Sequence, residues 1–202
     1  MHHGFGTRLS AGWPDAERLA TAKQVHSDQV LKATQPGHCG PGDALISDEP
    51  GVTVAIRTAD CLPVVIVDPR TRAVAAVHAG WRGVVAQIAP KAVEAMRLEF
   101  GSRPEDLEIA IGPGIGPCCF EVGPEVAVQF RDFFPERNDL ETRARVDLVE
   151  TITRQLRRNG VTTSQISTSG LCTFCDARLF ESYRRDKENA GRMVTAVGKL
   201  LI

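Results

Sequence analysis

Two runs of β-branched and small apolar residues, 64–67 and 73–77, flank the polar segment Asp68-Pro69-Arg70-Thr71-Arg72. Apolar runs of this length around a Pro-bearing turn predict an antiparallel hairpin. A turn centred on Pro69-Arg70 sets Cys61 opposite His78 at the open end. Directly opposed residues have Cβ atoms roughly 4.5–5.5 Å apart, so a thiolate and an imidazole there can reach one metal ion at about 2.0–2.3 Å each.

Upstream of the hairpin, 15–21 predicts a short helix after a loop at Gly12-Trp13-Pro14. Segments 23–26 and 29–32 predict short strands around Ser27-Asp28, which leaves His26 at or beside a strand end. The Gly- and Pro-dense stretch 35–42 predicts a loop carrying His38 and Cys39, and 51–57 a strand. Downstream, Ile88, Val93, Met96 and Phe100 recur at helical spacing within 84–100. Pro90 predicts a kink there or a helix that restarts with the proline in its first turn. A strand over 107–111 leads into a shaped Gly/Pro loop at 112–123, which lacks the Lys-Ser/Thr of a phosphate loop. Helices at 124–134 and 146–159 enclose a polar loop at 138–144, and Gly160 stops the second helix. Strands at 165–169 and 192–197 close the chain. Without a repeat, a linker or a low-complexity segment, the pattern predicts one α+β domain over 1–202, with antiparallel hairpins dominating its first half.

Composition narrows the class. At 202 residues a chain can bury about 70% of its unfolded surface and needs no staples. The hydrophobic fraction of 43% and charged fraction of 24% are those of a soluble domain, and no apolar run approaches a spanning helix. Twenty-four Lys plus Arg against 25 Asp plus Glu give a formal net charge of −1, so no global field favours nucleic acid or an anionic membrane. Local arginines must carry any anion binding. The first residues lack the features of a signal peptide, which points to the cytoplasm and to reduced thiols for the six Cys.

Candidate chemistry follows from these positions. Cys61, His78 and one further ligand make the three-ligand count typical of a catalytic zinc site with an open position. His26, His38, Cys39 or an acid could each be the third. Gly80-Trp81-Arg82-Gly83 follows His78, and its glycines let the chain turn sharply and leave Trp and Arg at the strand end. Cys172-x-x-Cys175 and Cys118-Cys119 invite a second metal site or a redox pair. Adjacent cysteines are poorly placed to ligate one ion together, so packed free thiols are the expectation there. Arg184 and Arg185 beside Tyr183, the chain's only tyrosine, read as a solvated charged face or as a phosphate holder. Arg8 and Arg82 share those two readings. In an extended strand Asp60 would point away from Cys61, and it joins the site only if the chain bends after Ala59.

The sequence resembles the bacterial YfiH-type, or laccase-domain, family through motifs that cover nearly the whole chain. These are Lys23-Gln24-Val25-His26, Asp43-Ala44-Leu45-Ile46, Thr58-Ala59-Asp60-Cys61-Leu62-Pro63-Val64, Val77-His78-Ala79-Gly80-Trp81-Arg82-Gly83, Ile111-Gly112-Pro113-Gly114-Ile115-Gly116, Cys118-Cys119-Phe120-Glu121-Val122-Gly123, Cys172-Thr173-Phe174-Cys175-Asp176 and Ser182-Tyr183-Arg184-Arg185-Asp186. The resemblance implies a metal held by His26, Cys61 and His78, and a layered α/β/β/α fold with mixed, largely antiparallel sheets. Members usually carry a longer segment with an Asn-rich turn and a helix before Gln-Val-His, and this chain reaches Gln24 sooner; Arg8 matches their Gly-Phe-x-Thr-Arg start.

Two functions are attached to that family. A multicopper oxidase needs several centres with multiple imidazole and thiolate ligands, and five His without a His-x-His run support it poorly. Purine nucleoside chemistry fits better: phosphorolysis of adenosine, inosine or methylthioadenosine, and deamination of adenosine. Zinc with an open position suits deamination because it acidifies bound water to near pH 7. Phosphorolysis needs cations around phosphate, for which Arg8, Arg82 and Arg184 are candidates by type. The expectation is a cytoplasmic zinc enzyme acting on purine nucleosides and phosphate, with Cys61, Asp60 and Arg82 as catalytic candidates and Arg8 and Arg184 as substrate-binding ones. Copper-dependent polyphenol oxidation and a non-catalytic metal- or thiol-binding module are the alternatives.

Overall fold

Strand-forming segments too short to stand alone find partners far along the chain. In the computed structural model, which describes residues 1–10, 14 and 16–199, the strands are β1 (His2–Phe5), β2 (Leu19–Lys23), β3 (Val30–Lys32), β4 (Gly37–Pro41), β5 (Ala44–Ser47), β6 (Thr53–Thr58), β7 (Leu62–Val67), β8 (Val74–Ala79), β9 (Glu108–Ile111), β10 (Glu121–Val122), β11 (Ala144–Arg145), β12 (Ile166–Thr168) and β13 (Met193–Gly198). The helices are α1 (Trp81–Val85), α2 (Ile88–Phe100), α3 (Pro124–Ala127), α4 (Leu148–Arg158) and α5 (Tyr183–Asp186). Five strands form one sheet in the order β1-β13-β6-β2-β4, six form another in the order β12-β9-β7-β8-β5-β3, and β10-β11 is a separate ribbon. Antiparallel and parallel ladders mix in both large sheets. The fold is α+β with mixed sheets.

The apolar run of β7 is explained by burial on both faces. Val64 and Ile66 join Ile88, Ala92 and Met96 of α2 and Ile152 and Leu156 of α4 in one core. Val65, between them in sequence, faces Val54, Ile56 and Val197 of the five-stranded sheet in a second core. Alternation along the strand thus feeds two layers, and each fully buried Val or Ile contributes roughly 1.5–3 kcal/mol. On α4, Leu148, Ile152 and Leu156 recur every fourth residue and are buried, and the Asp147 carboxylate accepts from the Glu150 amide at its N-terminus. Gln155 Nε2 donates to the Val84 carbonyl at 2.7 Å, anchoring α1 just beyond the hairpin.

Several expectations need correction. The hairpin pairs Pro63 with His78 and Leu62 with Ala79, not Cys61 with His78. Its turn is longer than a two-residue centre allows: the Asp68 amide donates to the Ala73 carbonyl, and Arg72 adopts a left-handed φ of 63°. The slip is by two residues, an even number, so side-chain faces are preserved. The Gly/Pro stretch 35–42 contains strand β4, which pairs in parallel with β2 across a register shift. It lies at the sheet edge, where Pro41 and the left-handed Gly37 and Gly40 are tolerated because one side of the ladder goes unpaired. Over 16–21, only Ala16–Arg18 is helical, as a 3-10 turn. Residues 19–21 enter β2, whose Ala20 is buried between its neighbours. Asp15, Gly12 and Trp13 lie outside the described residues. Pro90 sits in the first turn of α2, which restarts after the left-handed Gln87.

Candidate metal centre

Three chain segments converge beyond the open end of β7 and β8. His26 lies in the turn between β2 and β3 with a left-handed φ of 58°, a conformation that costs a side-chain-bearing residue energy unless its surroundings hold it. Asp43, fully buried ahead of β5, does so. Its carboxylate accepts from the backbone amides of Val25 at 3.2 Å, His26 at 3.0 Å and Ser27 at 2.6 Å, and from the Ser27 hydroxyl at 2.7 Å. The same carboxylate accepts from His78 Nδ1 at 2.8 Å, and the Asp43 carbonyl accepts from the His78 amide at 2.7 Å. In the neutral ring a donating Nδ1 makes Nε2 the lone-pair nitrogen of His78, the carboxylate–imidazole arrangement that orients a metal ligand. One acid therefore sets both imidazoles.

Cys61 is aimed by the residue before it. Asp60 is left-handed at φ 78°, so the chain bends between β6 and β7 and Cys61 leaves the ladder direction. Its Sγ lies 3.9 Å from His26 Nε2, and the ligand atoms of His26, Cys61 and His78 all fall within 4.8 Å of one another. The two imidazole rings meet edge to face with centroids 4.9 Å apart. Zinc bonds of about 2.0–2.3 Å at tetrahedral angles require ligand atoms about 3.3–3.6 Å apart, so small side-chain adjustments close the set around an ion. Gly80 marks the space they share: a Cβ there would sit 3.0 Å from both Cys61 Sγ and His26 Cδ2.

Electrostatics match a ligand set. Burial pushes the Cys61 thiol up, but hydrogen bonding and charge from His26 and His78 outweigh it and lower it to about 7. For His78, burial alone would lower the value; the Asp43 and Cys61 partners raise it to about 9. Burial works against the charge on Asp43 too, yet His78, Ser27 and the surrounding amides hold its carboxyl well below the usual carboxylate range. The thiolate is accessible near neutral pH, whereas His78 must release its Nε2 proton when an ion binds.

A cleft of about 610 Å³ opens over the triad, lined by Ala22, Gln24, His26, Arg57, Ala59, Cys61, His78, Tyr183 and Arg192. Its cations are Arg57 and Arg192. Arg192 lies 6.0 Å from the centroid of the Tyr183 ring, and Tyr183 is 43% exposed. Gln24 brackets Arg57 by accepting from its amide and donating to its carbonyl.

The other sequence candidates lie around this cleft rather than lining it. Arg8 pairs with Glu181 and Asp186 at 2.8 and 3.2 Å. Arg82 is exposed on α1 and stacks over Trp81. Arg184 donates through Nη1 to the Glu121 carbonyl and lies over Phe120, and Arg185 braces the carbonyls of Thr173, Phe174 and Phe180. Asp60 is buried and engaged: Oδ1 accepts from the Thr173 hydroxyl at 2.7 Å and Oδ2 from the Arg184 amide at 2.6 Å. His38 and Cys39 belong to β4 and to neither potential ligand group. Sequence pattern does not single out Arg57 or Arg192, and it gives Asp43 no role: that residue enters only as the head of the Asp43-Ala44-Leu45-Ile46 motif.

Comparison with known proteins gives a consistent result. Residues 7–199 match the family described as multi-copper polyphenol oxidoreductase laccase. A purine nucleoside phosphorylase of Deinococcus radiodurans is 41% identical over 189 residues, covering 91% of this chain and 71% of the relative. The adenosine deaminase RL5 of an unknown prokaryotic organism is 37% identical, covering 91% and 76%. Among solved structures, YlmD from Geobacillus stearothermophilus superposes with a TM-score of 0.86 at 36% identity, covering 92% of this chain and 75% of that one.

Proposed function

The chain belongs to the multi-copper polyphenol oxidoreductase laccase family, and from that membership and the geometry of the triad we propose that it is a zinc-dependent purine nucleoside enzyme. Its reactions would be phosphorolysis of adenosine, inosine or methylthioadenosine, and deamination of adenosine. The observation that carries this reading is the convergence of His26, Cys61 and His78 within 4.8 Å at the floor of a cleft. Relatives named purine nucleoside phosphorylase and adenosine deaminase support a role in purine nucleoside processing.

His26, Cys61 and His78 would hold the ion, and bound zinc supplies Lewis acidity at an open position. The chain's own residues account for the rest. Asp43 fixes the His78 tautomer and the His26 turn, so the ligands are positioned before any ion arrives. The exposed face of Tyr183 offers a purine a stacking surface. Arg57 and Arg192 place positive charge on the cleft wall, where incoming phosphate and the developing ribose phosphate need it. Asp60 holds the rim by joining the bend before Cys61 to Thr173 and Arg184. Copper oxidase chemistry would need several imidazole-rich centres; among the described residues only one of the two potential ligand groups contains histidine.

Chromatography of adenosine and inosine incubations, with and without phosphate, tests the reading. Inosine formed from adenosine without phosphate means deamination, and free base formed only with phosphate means phosphorolysis. Cys61→Ala should lose the ion held by His26, Cys61 and His78 and with it both activities, and retained turnover in that variant would sink the assignment. Arg57→Gln should raise the KM for phosphate while sparing deamination. If zinc-loaded protein leaves every nucleoside untouched, the non-catalytic metal-binding alternative takes over.

A further inference from the structure

The sequence predicts packed free thiols at Cys118, Cys119, Cys172 and Cys175, and the fold gathers all four at one place. Their sulfur atoms all lie within 4.8 Å of one another, with Cys175 Sγ 3.4 Å from Cys119 Sγ and 3.7 Å from Cys118 Sγ. Four thiolates around one zinc at about 2.3 Å stand about 3.8 Å apart. The objection to adjacent cysteines is answered by the turn that carries them: the amides of Cys119 and Phe120 both donate to the Gly116 carbonyl at 3.0 and 2.9 Å. That tight turn lets both sulfurs approach Cys175. On the other side, Asp176 N–H donates to the Cys172 carbonyl at 3.2 Å, closing the Cys-x-x-Cys turn.

We propose that Cys118, Cys119, Cys172 and Cys175 form a closed tetrathiolate site for a zinc-class divalent ion, pinning the 112–120 loop to the 171–176 loop. Four ligands with no vacancy are the mark of a structural rather than a catalytic site. The Gly116 amide donates to Cys172 Sγ at 3.3 Å, a charge-assisted bond that favours thiolate. Gly116 also leaves the necessary space, since a Cβ there would lie 3.3 Å from Cys118 Sγ. Simple packing does not explain the cluster, because Cys118 and Cys175 are exposed. Nor does a disulfide: all four are free thiols, and both contacts under 4 Å share Cys175, so the two cannot both become bonds. The site has a structural consequence. Thr173, between the two ligands of the second loop, donates to Asp60, so the ion would hold the segment that holds the bend before Cys61.

The proposal does not rest on the nucleoside reading, and its test needs no substrate. Protein purified under reducing conditions with zinc should hold two zinc ions per chain by elemental analysis. Cys61→Ala should keep one, and the double variant Cys118→Ser/Cys175→Ser should keep the other. Replacement by cobalt(II) should produce the intense sulfur-to-cobalt charge-transfer and visible bands of four-thiolate coordination in Cys61→Ala, where the cluster is intact, and a lower Tm when that ion is removed. If the double variant does not fold, Cys61→Ala decides alone. One zinc in the wild type, none in Cys61→Ala and no thiolate–cobalt bands there would overturn the proposal, as would a Cys118–Cys175 or Cys119–Cys175 disulfide in reduced, zinc-replete protein.

Discussion

At the scale of single residues, the centre depends on an acid and a glycine that are not ligands. Five donors converge on the two oxygens of Asp43: three backbone amides, the Ser27 hydroxyl and His78 Nδ1. An amide group brings one acceptor and two donors to a place that needs only acceptors. Asp43→Asn should therefore lower zinc affinity by about 10–100-fold, the usual cost of losing such a partner, as read by competition with a chromophoric chelator. Unchanged affinity in a folded variant would mean that strand pairing alone orients His78. Gly80 has an ordinary φ of −70°, so alanine is compatible with its backbone. The added Cβ would press on Cys61 Sγ and His26 Cδ2 at 3.0 Å. Gly80→Ala should keep a native circular dichroism spectrum and yet hold one zinc fewer per chain than wild type by elemental analysis, separating site from fold.

Elements place these residues through turns as much as through strands. The hairpin turn is organised by Asp68, whose Oδ1 accepts from the amides of Arg70 at 2.8 Å and Thr71 at 3.1 Å. Burial works against its charge, but bonds from Ser102, Thr71 and these amides prevail and hold its carboxyl below the ordinary range. A carboxyl depressed in the folded state stabilises above its unfolded value, about 3.9, and that contribution is lost as pH falls through the folded one. Asp68→Ala should cost about 1–2 kcal/mol at neutral pH, and the loss should shrink in acid, as measured by urea unfolding across pH 7 to 3. The hairpin itself was legible from its apolar runs, but its register was not. Pairing depends on how many residues the turn consumes, and a left-handed Arg72 inside a longer turn has no composition signal. The same holds for β4, where an edge position overrides the loop propensity of Gly and Pro.

At the scale of the whole molecule, residues more than a hundred positions apart meet at Asp60. Its carboxylate ties the bend before Cys61 to Thr173 and to the start of α5. Asp60→Ala strands both donors and should destabilise the fold by about 2–4 kcal/mol, whereas Asp60→Asn can satisfy both groups and should keep Tm and turnover near wild type. A variant with native Tm and turnover reduced a hundredfold would instead assign Asp60 an acid–base role. The chain by itself determined the α+β class, most strands and helices, and the types of residue able to bind a metal, because periodicity and side-chain chemistry are local properties. Only the tertiary structure decided which arginines line the cleft, that Asp43 serves both imidazoles, and that two distant cysteine pairs share one point. These are long-range pairings set by sheet order and loop closure, and local sequence carries no record of which distant segment a turn will face.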